Sequence, residues 1–160
     1  MGVCGSGKST VGRLLAQELG LPFVEGDELH PPRNVALMAA GTPLTDEDRQ
    51  GWLQALADKL ATAGPQGAVL ACSALKRRYR DQLRRAAPAL RLVHLTGAPQ
   101  LLAQRLQGRA GHYMPAALLP SQLQALEPPA PDEYAITLDI TLPPERIVDE
   151  VCRQLEVTSA

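Results

Sequence analysis

The stretch Gly2-Val3-Cys4-Gly5-Ser6-Gly7-Lys8-Ser9 carries the spacing G-x-x-x-x-G-K-[ST]. Closely spaced glycines let successive backbone N–H groups turn inward on an anion, a concavity that bulkier side chains would block. Val11, Leu14, Leu15 and Leu19 follow at helical spacing and Gly20 closes the run, so a helix opens directly behind the loop and adds its positive end. The whole reads as a Walker-type phosphate cradle built from Gly2, Gly5, Ser6, Gly7, Lys8, Ser9 and Thr10. In this geometry Lys8 reaches the β- and γ-phosphates of a nucleoside triphosphate, and the Ser9 hydroxyl sits on the accompanying Mg²⁺. The competing reading, a Gly/Ser-rich turn without a ligand, leaves the helix behind it unexplained.

A loop of this kind hangs from the C-terminal end of a buried strand, which in a parallel sheet is a run of Val, Ile or Leu. Only Met1 precedes Gly2 in the numbered sequence. The first strand is therefore expected upstream of Met1, the alternative being a defective chain without it. Without that strand the neighbouring strands lose ladder partners and face water.

Further along, Pro22-Phe23-Val24-Glu25 predicts a short buried strand ending in the acidic loop Gly26-Asp27-Glu28-Leu29-His30-Pro31-Pro32. A short helix is expected around 34–40. Thr45-Asp46-Glu47-Asp48 has the form of a capping box opening a longer helix through Trp52, Leu56 and Leu60. Gly64-Pro65-Gln66-Gly67 breaks it, and 68–72 and 90–95 predict two more strands. Between them a helix carries Lys76, Arg80 and Arg84 at steps of four, three cations on one face. A helix through Leu101 and Leu106, one near 116–126, a strand at 135–139 and a closing helix over 145–155 complete the pattern. Alternating strands and helices predict a three-layer α/β P-loop domain, a parallel sheet covered on both faces, with ligands at the C-terminal strand ends. A single domain over 1–160 is expected, with a small helical lid over about 105–127 whose mobile part is 108–115.

At 160 residues and 45% apolar, one ordinary core is available. The 16 basic and 17 acidic residues nearly cancel, so no global field draws nucleic acid or an anionic membrane. The basic run from Lys76 to Arg80 contains one aromatic in a chain that is 3% aromatic, too few platforms for stacked bases. No stretch approaches the roughly 20 apolar residues that span a bilayer, and no leader pattern opens the sequence. A soluble cytoplasmic protein with a small-molecule substrate is expected. Cys4, Cys72 and Cys152 lack disulfide or zinc spacing and read as reduced thiols. Cys4 is either a small filler or a thiol whose pKa the helix start lowers.

Phosphoryl transfer needs phosphates clamped, developing charge neutralised and the acceptor hydroxyl aligned. Lys8, Arg105 and Arg109 are the candidate charge clamp, with surface charges as the bland alternative for the two arginines. Asp27, just past a strand end, is the candidate base, unless it only caps its turn. Glu25, two residues earlier on the same side of a continuing strand, is a candidate for holding a metal-bound water. His30 either contacts substrate or finishes a loop. Lys76 and Arg80 suit an anionic small substrate.

Taken together, these motifs closely resemble the gluconate kinases, small P-loop enzymes related to shikimate and adenylate kinases. The likeness runs through residues 1–9, Gly26-Asp27-Glu28-Leu29-His30-Pro31, Pro43-Leu44-Thr45-Asp46-Glu47-Asp48-Arg49 with Trp52-Leu53, Cys72-Ser73-Ala74-Leu75-Lys76 with Tyr79-Arg80-Asp81, Gly111-His112-Tyr113-Met114-Pro115, and 122–128. The resemblance implies ATP-dependent phosphorylation of D-gluconate at its 6-hydroxyl, usually by a homodimer, with Arg49, Lys76, Arg80, His112, Asp27 and His30 around the acid. The sequence departs from the family in its opening strand and in Cys4, where relatives commonly have serine. A kinase of another hydroxy acid such as shikimate, or a nucleotide-binding but inactive relative, are the rival readings. No N-K-x-D guanine-specificity sequence is present.

Overall fold

In the computed structural model, which describes residues 1–107 and 116–159, seven helices and four short strands alternate along the described chain. The strands are β1 (Phe23–Glu25), β2 (Val69–Ala71), β3 (Val93–Thr96) and β4 (Ile136–Asp139). The helices are α1 (Lys8–Leu19), α2 (Pro32–Ala39), α3 (Asp46–Thr62), α4 (Arg77–Ala86), α5 (Pro99–Gln107), α6 (Leu119–Ala125) and α7 (Pro144–Ser159). β1 runs parallel to β2 with Val24 opposite Leu70, and β3 runs parallel to β4 with Leu95 opposite Leu138.

Two apolar clusters enclose these strands. Val11 and Leu15 of α1, Leu102 of α5 and Ile147 and Val151 of α7 pack with Leu95 and Leu138 on one side. Trp52, Leu56 and Leu60 of α3 pack with Cys72, Tyr79 and Leu83 on the other. Helices therefore cover both faces, as the alternating pattern requires. Among the described residues no helix is long and apolar enough to cross a membrane.

Between β2 and β3 the sheet is interrupted by an apolar cavity of about 540 Å³, lined among others by Val11, Val69, Leu70, Leu83, Val93 and Val151. Met1 stands at its end. Its amino group donates to the Val93 carbonyl, Leu95 N donates to the Met1 carbonyl at 2.9 Å, and Gly2 N donates to the Ser73 carbonyl at 3.2 Å. That pattern is a parallel ladder in which Met1 lies opposite His94, so the residue leading into the phosphate loop occupies the centre of the sheet. The neighbours of the expected first strand lack their ladder here, and the gap between them is lined mainly by apolar side chains. Burial holds the Met1 amine down to about 6.

Local signals account for the element ends. Gly20 ends α1 in a left-handed conformation (φ 64°), its N–H bonded back to the last turn. Thr45 accepts from Asp48 N at 3.1 Å while the Asp48 carboxylate accepts from Thr45 N at 2.9 Å, completing the predicted capping box. Of the expected lid, residues 108–115 lie outside the described residues; in its flanks Leu118 and Leu119 are buried, and Glu127 N donates to the Leu75 carbonyl at 2.8 Å.

Candidate active site

α1 starts at Lys8 because Gly7, with φ 86°, turns the chain through the left-handed region just before it. The first turn carries no acidic side chain, so the positive end of the helix and its unbonded amides have no charge partner in their own segment. Ser6 is buried and its hydroxyl has no hydrogen-bond partner among the described residues. Lys8 Nζ folds back to the Val3 carbonyl at 2.9 Å. A buried hydroxyl, unbonded amides and an amine across the loop are the donor set a triphosphate tail requires, so the residues present fit the nucleotide. Ser9 is half-buried in the first turn, with Thr10 exposed beside it.

Next to the loop is a cavity of about 260 Å³ lined by Gly5, Ser6, Gly7, Thr10, Arg105 and Pro144, among others. Arg105 Nη2 donates to the Ile140 carbonyl at 2.7 Å, which holds the guanidinium over this cavity. Arg109 and His112 lie outside the described residues.

On the other side of the loop, β1 stops at Glu25 and a 3₁₀ turn begins at Gly26. The strand alternation that was to bring Glu25 and Asp27 to one side therefore ends before Asp27. Glu25 instead lies 3.6 Å from Arg13, whose guanidinium sits over the Phe23 ring. Asp27 is half-buried on the turn, near enough to Arg49 for its charge to favour the guanidinium against the burial that lowers the Arg49 pKa. His30 is buried and stacked on Trp52, ring centroids 4.4 Å apart, and its Nδ1 lies 3.4 Å from Asn34 Nδ2. Trp52 Nε1 in turn donates to the Gly26 carbonyl at 2.7 Å, so the ring that supports His30 also fixes the turn carrying Asp27.

A second cavity, about 210 Å³, is lined by Thr45, Asp46, Arg49, Lys76, Tyr79 and Gln122, among others. Lys76 Nζ donates to both Asp46 oxygens, at 3.0 and 3.2 Å, and Tyr79 Oη and Arg78 converge on the same carboxylate. Arg49 lies over the Tyr79 ring. The cations at this cavity are thus paired with the protein's own carboxylate at Asp46.

Arg80 requires a correction. Lys76 is the non-helical N-cap of α4, so the three cations predicted to share one helix face do not. Arg80 is 1% exposed and forms a bidentate pair with Glu133 at 2.6 and 2.8 Å; its Nη1 also donates to the Ala74 and Leu75 carbonyls at 3.1 and 3.2 Å. It holds the loop after β2 rather than a ligand. Asp46, Tyr79 and Gln122 lie in stretches that sequence reasoning quoted without giving them a site role, and Glu133 was not named. For Asp46 a signal existed, an acid at the first helical position facing a basic run, but helix-dipole compensation explained it equally well. Cys4 is buried and burial pushes its thiol up, the opposite of activation.

Burial also pushes His30 and His94 down to about 4, and both ring nitrogens of His94 lack partners among the described residues. In the unfolded chain these rings take up protons near pH 6.5. Between that value and about 4 the unfolded state binds more protons, so stability is full above pH 6.5 and lost as pH falls toward 4. The thermal midpoint is expected to drop by roughly 5–10 °C between pH 7 and pH 5. A scanning-calorimetry series that stays flat over this window contradicts the neutral burial of the two rings.

The chain matches the AAA domain family over residues 1–129. It is 50% identical over 159 residues to a gluconokinase of Gluconobacter oxydans, covering 98% of this chain and 89% of the relative, and 43% identical over 158 residues to the thermosensitive gluconokinase of Escherichia coli, covering 96% and 83%. Among solved structures, a gluconokinase from Sinorhizobium meliloti superposes with a TM-score of 0.86 at 43% identity, covering 100% of this chain and 95% of that one. A sugar kinase from Janibacter superposes at 0.92 with 45% identity, covering 98% and 91%. With a phosphate loop and this likeness along almost its whole length, the chain belongs to the gluconokinase family of P-loop kinases.

Proposed function

We propose that the protein transfers the terminal phosphoryl group of ATP to the 6-hydroxyl of D-gluconate, giving ADP and 6-phospho-D-gluconate. The observation that carries this reading is a pair of cavities of different chemistry, one beside Ser6 and Gly7 that suits a nucleotide and one ringed by Arg49, Lys76 and Tyr79 that suits a polyol acid, with Gln122 of the second bonded to Cys4 of the phosphate loop. Gluconate has one carboxylate and a row of hydroxyls, and needs both a cationic clamp and acceptors.

In the step itself, a bond forms between O6 and the γ-phosphorus, the bond from that phosphorus to the β-bridging oxygen breaks, and the hydroxyl proton passes to Asp27. Lys8 and Arg105, joined by Arg109, balance charge on the phosphates. Mg²⁺, held through Ser9, would neutralise part of the same charge when bound. Arg49, Lys76, His30 and His112 orient the acid, and Glu25 is reserved for Arg13 unless metal-bound water draws it away. A homodimer acting in the cytoplasm is part of the same reading.

Release of ADP in the presence of a panel of hydroxy acids tests it. Gluconate should exceed shikimate and the other acids by a wide margin; an equal response to several acids favours a different hydroxy-acid kinase, and nucleotide binding without any transfer favours an inactive relative. Asp27→Asn is expected to lower kcat on the order of a hundredfold, with ATP affinity little changed, because it removes the proton acceptor and leaves the phosphate cradle whole. Unaltered turnover in that variant rules out Asp27 as the base.

A further inference from the structure

Gln122 belongs to none of the motifs that define the cradle, yet its Oε1 accepts from the backbone N–H of Cys4, inside the phosphate loop, at 2.7 Å across 118 residues of sequence. Both partners are buried. The loop is braced on the same flank by α5: a Cβ added to Gly5 would stand 2.9 Å from the Leu102 carbonyl and 3.0 Å from the Leu106 side chain. Successive loop residues therefore rest on the two helices that lead into and out of residues 108–115. Gln122 also lines the acceptor cavity together with Arg49 and Lys76. One side chain thus touches the phosphate loop from behind and borders the space proposed for the acid.

We infer that Gln122 is a positioning residue for phosphoryl transfer: by satisfying the Cys4 amide it fixes the conformation in which the following amides of the loop face the triphosphate. The physical reason is the cost of the alternative. A buried amide that loses its acceptor must find another or move toward water, and in a loop whose other amides hold phosphates any such rotation misaims them. Gln122 acts on the reaction only through this loop and takes no part in the chemistry. The inference rests on the kinase reading given above, and fails separately from it: absence of gluconate phosphorylation by the wild-type chain removes that reading, whereas the tests below bear on Gln122.

Gln122→Met keeps the length and bulk of the side chain but offers no oxygen to Cys4. In this variant KM for ATP should rise roughly tenfold, and by more than KM for gluconate, whose proposed cavity Gln122 also borders. Leu83→Ala, a truncation in the core cluster on the opposite face, serves as the comparison: it should lower the thermal midpoint at least as much as Gln122→Met and leave KM for ATP near the wild-type value. Hydrogen exchange on the wild-type chain gives a measurement independent of variant folding, and should find the Cys4 amide strongly protected. A wild-type KM for ATP in Gln122→Met, an equal rise in Leu83→Ala, or rapid exchange at Cys4 would each overturn the assignment.

Discussion

Lys8→Ala is expected to lower kcat on the order of 10³-fold and to leave the fold in place. Lys8 Nζ now donates to the Val3 carbonyl across the loop, at a half-buried position. Losing one such bond costs about 1 kcal/mol of stability, which a domain with two extensive apolar clusters tolerates. The functional loss is larger because the ammonium is the only lysine charge in the cradle, and because phosphoryl transfer depends on neutralising oxygens that gain charge in the transition state. Steady-state kinetics beside a thermal melt separate the two effects. Turnover within tenfold of wild type in a folded Lys8→Ala protein means that Lys8 is not the phosphate cation. Lys8→Arg is a useful companion, since a planar fork replaces a compact point charge and should rescue only partly.

The phosphate loop, α1 with its Gly20 stop, and the Thr45 cap of α3 were all legible in the sequence, because each is a local device: a glycine at a left-handed position, a hydroxyl three residues ahead of an acid. The strands were found but trimmed. Run 68–72 shortens to Val69–Ala71, and run 90–95 starts later and ends one residue further on, at Val93–Thr96. Hydrophobicity marks a segment as buried without saying where its ladder ends.

The site was less legible where it depends on contacts between distant residues. Glu25 and Asp27 were paired on the assumption that a strand continued, and a 3₁₀ turn beginning at Gly26 separates them. His30 was an undecided loop residue until Trp52, 22 positions on, turned out to be its stacking partner. Lys76 lines a cavity and pairs there with Asp46, but Arg80, one helical turn away, faces inward. Two cations four residues apart look alike in sequence; a carboxylate at position 133 decides their fates, and no periodicity announces it.

That carboxylate gives the largest expected effect on stability. Glu133→Ala should lower the unfolding free energy by about 3–5 kcal/mol, read as a denaturant midpoint shift with unchanged slope. The side chains of Arg80 and Glu133 are 1% and 0% exposed, so removing the acid strands a guanidinium that water cannot reach. The Arg80 hydrogen bond holds the Glu133 carboxyl well down, to about 2, so the pair stays charged through the physiological range and weakens only in strong acid. The carboxylate also accepts from Ala130 N at 3.0 Å, and Arg84 lies 3.6 Å away, so the turn at 131–133 loses its anchor with it. The consequence extends to the site, because Arg80 Nη1 is bonded to the Ala74 and Leu75 carbonyls, and Ala74 has a left-handed backbone (φ 42°) that a side-chain-bearing residue adopts only under constraint. Lys76 follows two residues later. Replacing both charges together, as in Arg80→Met with Glu133→Leu, should recover much of the stability, since a buried pair is easily matched by apolar packing. It should not restore the loop: KM for gluconate is expected to stay raised in the double variant, because the two carbonyls that set the path to Lys76 have lost their donor. Full recovery of both stability and KM would show that Arg80 contributes bulk alone.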